Sequence, residues 1–148
     1  MIVRRDVTVG AKPKAVFDYL SDFTTTTEWD PGTVTTTLVD GDGGVGTTYR
    51  NTTSFAGRET QLTYEVIEYD APNLIRLRGE NKAVVAVDTI TVEKSGSGSY
   101  VVYEADFQFK GAWKLAAPFL RPAFKKLGDE AEEGLQKYLG RLSNATKG

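Results

Sequence analysis

Residues 13–32 read PKAVFDYLSDFTTTTEWDPG. Pro13 suits the first turn of a helix, where a missing N–H has no intrahelical partner to lose. Val16, Phe17 and Leu20 recur at helical spacing, so residues 13–20 are expected to form a short amphipathic helix. Asp22 to Trp29 reads as a second short helix or a turn. The four threonines Thr24 to Thr27 are β-branched and lose rotamer freedom in a helix; they look like exposed turn chemistry without a role. Asp30-Pro31-Gly32 closes the stretch as a turn. Strand pattern lies on both sides of this helical insert, and a long amphipathic helix ends the chain. That order suggests a sheet wrapped around a helix, with space left between them.

Upstream, residues 2–9 alternate, with Val3, Val7 and Val9 on one face and Arg4, Asp6 and Thr8 on the other. Downstream, strands are expected over 33–40, 46–55, 59–69, 75–79, 84–93 and 100–109. The turn signals between them are Gly41 to Gly44, Ala56-Gly57, Asp70 to Asn73, Glu80 to Ala83 and Ser95 to Gly98. Six consecutive strands joined by short turns mean an antiparallel sheet, and the first strand makes seven. Such a sheet commonly buries one face and wets the other, which fits the alternation. In the tail, Leu120, Phe124, Leu127, Ala131, Leu135, Tyr138 and Leu142 recur at spacings of three and four. The charged residues fall on the opposite side. Pro118 and Pro122 confine the regular helix to roughly residues 122–142, about 30 Å long. A ten-residue strand spans about 33 Å, so the helix can lie along a concave sheet.

The 148 residues carry no repeat or linker and are expected to form one domain, residues 1–148. Hydrophobic residues make up 40% and the net charge is -2, the balance of a folded chain without a phosphate-binding surplus of Lys and Arg. Nucleic acid and anionic membrane are not expected partners, and no apolar run is long enough to insert in a membrane. A cytoplasmic protein is the simplest reading. There is no cysteine and no histidine, which excludes disulfides, thiolate nucleophiles, Cys/His zinc sites and histidine-based triads. Acid–base work would fall to Asp, Glu, Lys, Tyr or Arg with shifted pKa values.

The chain resembles the polyketide cyclase/dehydrase-like branch of the START-like (SRPBCC) superfamily. The resemblance rests on the first strand, Val16 to Phe23, Glu28-Trp29-Asp30-Pro31, Gly44-Val45-Gly46-Thr47, Tyr64-Glu65-Val66, Asp88-Thr89-Ile90 and the closing helix, and it covers almost the whole chain. It implies an α+β helix-grip fold: a curved seven-stranded antiparallel sheet around a long C-terminal helix, with two short helices between strands 1 and 2. It also implies a hydrophobic ligand held between sheet and helix and no metal or cofactor. Some members catalyse cyclisation, aromatisation or dehydration of polyketide-like substrates.

Alternation places Tyr49, Asn51, Phe55, Tyr64, Leu77, Asp88, Tyr103 and Phe107 on inner faces. Mostly apolar walls with a few polar groups are the make-up of a small-molecule pocket. Asp88 stands out, because a buried carboxylate must find a partner or take up a proton. Trp29 is expected either at the cavity mouth or packing the short helices onto the sheet. Trp113, Phe119 and Leu120 read as a gate or as a cap on the open end, with Phe124 on the apolar stripe behind them. Gly128 and Gly134 remove volume from that stripe, for a ligand or for close helix packing. Three functions stay open: binding of a small hydrophobic or amphipathic molecule, with Tyr64, Asp88 and Tyr103 setting orientation; cyclase or dehydratase chemistry on the same three residues; or a protein-interaction module with a collapsed cavity.

Overall fold

The computed structural model describes residues 1–146. Seven strands form one antiparallel sheet: β1 (Ile2–Val9), β2 (Thr33–Asp40), β3 (Thr48–Phe55), β4 (Arg58–Asp70), β5 (Leu74–Glu80), β6 (Val84–Ser95) and β7 (Gly98–Phe109). Helix α1 spans Pro13–Ser21, a 3-10 turn covers Phe23–Thr25, and α2 is the single turn Thr26–Trp29. Two further 3-10 turns, Gly111–Leu115 and Ala117–Leu120, lead into α3 at Arg121–Thr146. This is the helix-grip arrangement expected from the sequence, with α3 starting one residue earlier and extending further than residues 122–142.

The strand order is β1-β7-β6-β5-β4-β3-β2. Strands 2 to 7 follow their hairpins, but β1 pairs with β7, from Ile2 opposite Asp106 to Val9 opposite Ser99. The chain must therefore cross from one sheet edge to the other between β1 and β2. The segment that makes this crossing is residues 13–32, which lays α1 and α2 across the concave face. Irregularities in the β2–β3 and β4–β5 registers bend the strands, as bulges do.

The concave face has two zones. At one end Val16, Phe17 and Leu20 of α1 join Val66, Ile75, Ile90 and Val101 in a closed core. At the other end the start of α3 stands off the sheet. Two glycines set how closely α3 approaches its neighbours. A Cβ on Gly134 would collide with the backbone carbonyl of Trp29, and one on Gly128 would meet the side chains of Val3 and Arg5. Both glycines thus serve close packing, against α2 and β1, rather than making room for a ligand. Leu135 and Leu139 are fully buried beyond them.

The four threonines are more than exposed turn chemistry. Thr26 is buried, and its hydroxyl lies 2.6 Å from that of Thr36 on β2. Thr27 Oγ1 accepts from the Thr36 backbone N–H at 3.0 Å. Thr25 Oγ1 accepts from the Trp29 indole at 3.3 Å. Their β-branching is tolerated because Thr24 and Thr25 lie in a 3-10 turn and Thr26 and Thr27 in a helix one turn long; the hydroxyls of Thr26 and Thr27 tie that helix to the edge strand β2.

Candidate functional site

Between the open half of the sheet and the start of α3 lies a cavity of about 650 Å³. That is within the usual range for small-molecule sites, roughly 300–1,000 Å³. The strands supply its floor: Asn51, Thr53 and Phe55 from β3, Leu62 and Tyr64 from β4, Val84 and Asp88 from β6, and Tyr103, Phe107 and Phe109 from β7. Leu120, Phe124 and Leu127 roof it, and Trp113 stands at its outer end with Arg58 and Glu59. Phe124 packs against Phe55, Phe107 and Phe109 with ring centroids 4.6, 4.7 and 5.8 Å away. These rings make an aromatic wall whose flat faces suit apolar ligand surface.

The inner end is polar. Asp88 lies opposite Ala105 on β7, and Phe107 lies opposite Ala86 on β6, so each large side chain faces a small one. Tyr64 lies opposite Gly79 on β5. A Cβ on Gly79 would come within 2.6 Å of the Tyr64 ring, so the glycine is what lets that ring lie flat across the sheet. The Tyr103 hydroxyl donates to Asp88 Oδ2 at 3.2 Å. Asp88 Oδ1 is buried and has no hydrogen-bond partner among the described residues. Burial lifts the Asp88 carboxyl from 3.8 to about 7; the Tyr103 hydrogen bond opposes this and the nearby charge of Asp30 adds to it. Burial also pushes the Tyr64 and Tyr103 hydroxyls well above their ordinary value, helped by the charge of Asp88. Both tyrosines therefore keep their hydroxyl protons at neutral pH, and Tyr103 donates its proton to Asp88.

Asp30 is the second carboxyl of this region. Its Oδ1 accepts from the Gly32 N–H and its Oδ2 from the Thr33 hydroxyl, each at 3.0 Å. Burial raises it to about 6, against those two hydrogen bonds. Read from sequence as a plain turn, Asp30 also lines the cavity. The turn reading is right for the backbone and incomplete for the side chain.

Of the residues singled out from the sequence, Asn51, Phe55, Tyr64, Asp88, Tyr103, Phe107, Trp113 and Phe124 lie on the cavity wall. Four do not. Trp29, expected at the rim or in the core, is only 1% exposed and meets Tyr103 edge-on at 5.5 Å, so it packs α2 onto the sheet. Tyr49 is buried under Phe23, with ring centroids 5.7 Å apart, and Leu77 is fully buried in the closed zone. Both are on the inner face, as alternation requires, but on the half that α1 and the following 3-10 turn cover. Phe119 is 84% exposed and points away from the cavity. Alternation alone could have added Leu62, Val84 and Phe109, which share faces with chosen residues. Phe23, Thr26 and Asp30 come from the crossing segment and Thr33 from the start of β2, and only tertiary folding brings them to the wall.

A curved antiparallel sheet around a long C-terminal helix, with a cavity between them, is the helix-grip class of fold. The chain belongs to the family described as polyketide cyclase/dehydrase and lipid transport, whose model matches residues 1–140. Its fold is similar to that of the Zhui aromatase/cyclase from Streptomyces sp. R1128, at 17% identity and a TM-score of 0.82, over 99% of this chain and 95% of that one. It is also similar to TTHA0849 from Thermus thermophilus, at 21% identity and a TM-score of 0.78, over the whole of both chains. A START superfamily protein from Mycobacterium smegmatis, 13% identical, gives a TM-score of 0.79 over 95% of this chain and 98% of that one. No curated protein matches the chain in sequence. At these identities the structural likenesses speak to fold alone. Among the described residues no helix is long and apolar enough to cross a membrane, and no cluster of acidic side chains could hold a metal ion.

Proposed function

We propose that this protein binds a small hydrophobic or amphipathic molecule in the cavity between the open half of the sheet and α3. The carrying observation is the cavity itself: about 650 Å³, walled by aromatic side chains, with a polar group at its inner end. Burying apolar ligand surface there is worth roughly 25 cal/mol per Å² before the entropic costs of binding. The family's description, which joins polyketide chemistry with lipid transport, supports this class of ligand. An open cavity of this size also counts against an interaction module whose interior is filled by its own side chains. The test is native extraction of small molecules from the purified protein, with a thermal-shift screen of lipids and polyketide-like rings. Absence of both a co-purified molecule and any stabilisation would sink the proposal.

A second reading, a cyclase or dehydratase, is favoured by one observation. Asp88 titrates near neutral pH inside the cavity, beside two tyrosine hydroxyls that stay protonated. A carboxyl poised near the working pH can give or take a proton efficiently. With no histidine in the chain, Asp88 and then Asp30 are the groups available for that work. Turnover of a polyketide-like substrate by Asp88→Asn at the wild-type rate would remove Asp88 from any mechanism.

A further inference from the structure

Most polar side chains at the inner end of the cavity satisfy one another. Asn51 Nδ2 donates to Thr36 Oγ1 at 2.9 Å, and Asn51 Oδ1 accepts from the Thr53 hydroxyl at 2.6 Å. Thr26 closes on Thr36, and both Asp30 oxygens are engaged. Two groups are left over. Asp88 Oδ1 is buried without a partner among the described residues. The Tyr64 hydroxyl, which interacts electrostatically with Asp88, makes no hydrogen bond to any described residue. The fold has therefore built one open acceptor and one open donor into an otherwise closed polar network. Leaving such a carboxylate oxygen unpaired is expensive, so its retention asks for a function.

One acceptor and one donor match the valence of a single hydroxyl, which donates once and accepts from one or two partners. An ammonium could pair with Asp88 Oδ1, but it has no acceptor for the Tyr64 hydroxyl proton. A carboxylate brings no donor and a charge of the same sign as Asp88 and Asp30. Arg58, the basic residue on the wall, is exposed at the outer end and offers no inward compensation. Beyond the polar pair the walls are the rings of Phe23, Phe55, Phe107 and Phe124. We infer that the cavity is built for a ring-bearing molecule whose inward end is a hydroxyl, held with Asp88 Oδ1 as acceptor and the Tyr64 hydroxyl as donor. This rests on the ligand-binding reading and names the ligand chemistry that it leaves open. It also separates this cavity from one meant for fatty acids, whose carboxylate would have to face outward.

The test is a titration of the full chain with four matched probes: naphthol, naphthalene, naphthoate and naphthylmethylamine. At pH 8, where Asp88 is ionised, naphthol is expected to bind roughly ten- to hundredfold more tightly than naphthalene, the usual worth of a buried hydrogen bond to a charged group. Naphthoate should gain nothing over naphthalene, and the amine, which has no acceptor for the Tyr64 proton, should gain less than naphthol. Asp88→Leu should abolish the ratio between naphthol and naphthalene. Tyr64→Phe, which keeps the ring over Gly79 and so preserves the fold, should reduce that ratio severalfold. Equal affinity for all four probes, or a naphthol advantage that survives Tyr64→Phe undiminished, would overturn the inference while leaving hydrophobic binding intact. Failure of every probe to bind, naphthalene included, would instead refute the ligand-binding reading beneath it.

Discussion

Replacing Asp88 by Asn should change how stability depends on pH more than stability itself. In the folded chain the Asp88 carboxyl is lifted from 3.8 to about 7, chiefly by burial. A carboxyl with a raised folded pKa keeps its proton in the native state while the unfolded chain has lost it. Between pH 4 and pH 7 the native state therefore binds more protons, and stability falls as pH rises. The whole shift amounts to about 4 kcal/mol, of which about 3 kcal/mol is lost between pH 5 and pH 8. Asp30, lifted to about 6 largely by burial, adds loss of the same sign over the lower part of that window. The amide introduced by Asp88→Asn cannot ionise, so the variant should lose about 3 kcal/mol less than wild type across pH 5 to 8. At pH 5, where Asp88 is protonated in the native state, the variant should be no more stable than wild type. Urea denaturation at the two pH values reads this directly. With a slope of about 1–3 kcal/mol per M, the difference corresponds to roughly 1–3 M in the midpoint. If wild type and Asp88→Asn show the same pH dependence, Asp88 is not a desolvated carboxyl and the account of the inner end of the cavity is wrong.

The two helix glycines Gly134 and Gly140 should respond oppositely to alanine. Gly134→Ala should destabilise by about 1–3 kcal/mol or more, because its Cβ meets the Trp29 carbonyl. Gly140→Ala, with open space at its Cβ, should stabilise by up to about 1 kcal/mol; thermal denaturation giving both the same sign would contradict the packing of α3 on α2. Trp29→Phe should lose about 1–3 kcal/mol of stability, since the indole is buried against Tyr103, yet preserve the order of affinities in the naphthalene series. A selective loss of ligand affinity in that variant would return Trp29 to the cavity wall.

The sequence by itself determined the strands, their turns, the long helix and the inner-face parity, because alternation and helical periodicity are local and survive without tertiary context. Tyr64, Asp88, Tyr103 and Phe107 were legible for that reason. Which half of the inner face stays open was decided only by tertiary structure. Tyr49 and Leu77 share parity with Asn51 and Asp88, but Phe23 packs over Tyr49 and Leu77 is fully buried in the core. The cover exists because β1 pairs with β7, so the chain must traverse the whole sheet before β2 begins. The same traverse makes Trp29 a core residue, carries Asp30 to the wall, and turns Gly134 into a contact point for α2. None of these follows from spacing along the chain, since each depends on contacts between residues far apart in sequence.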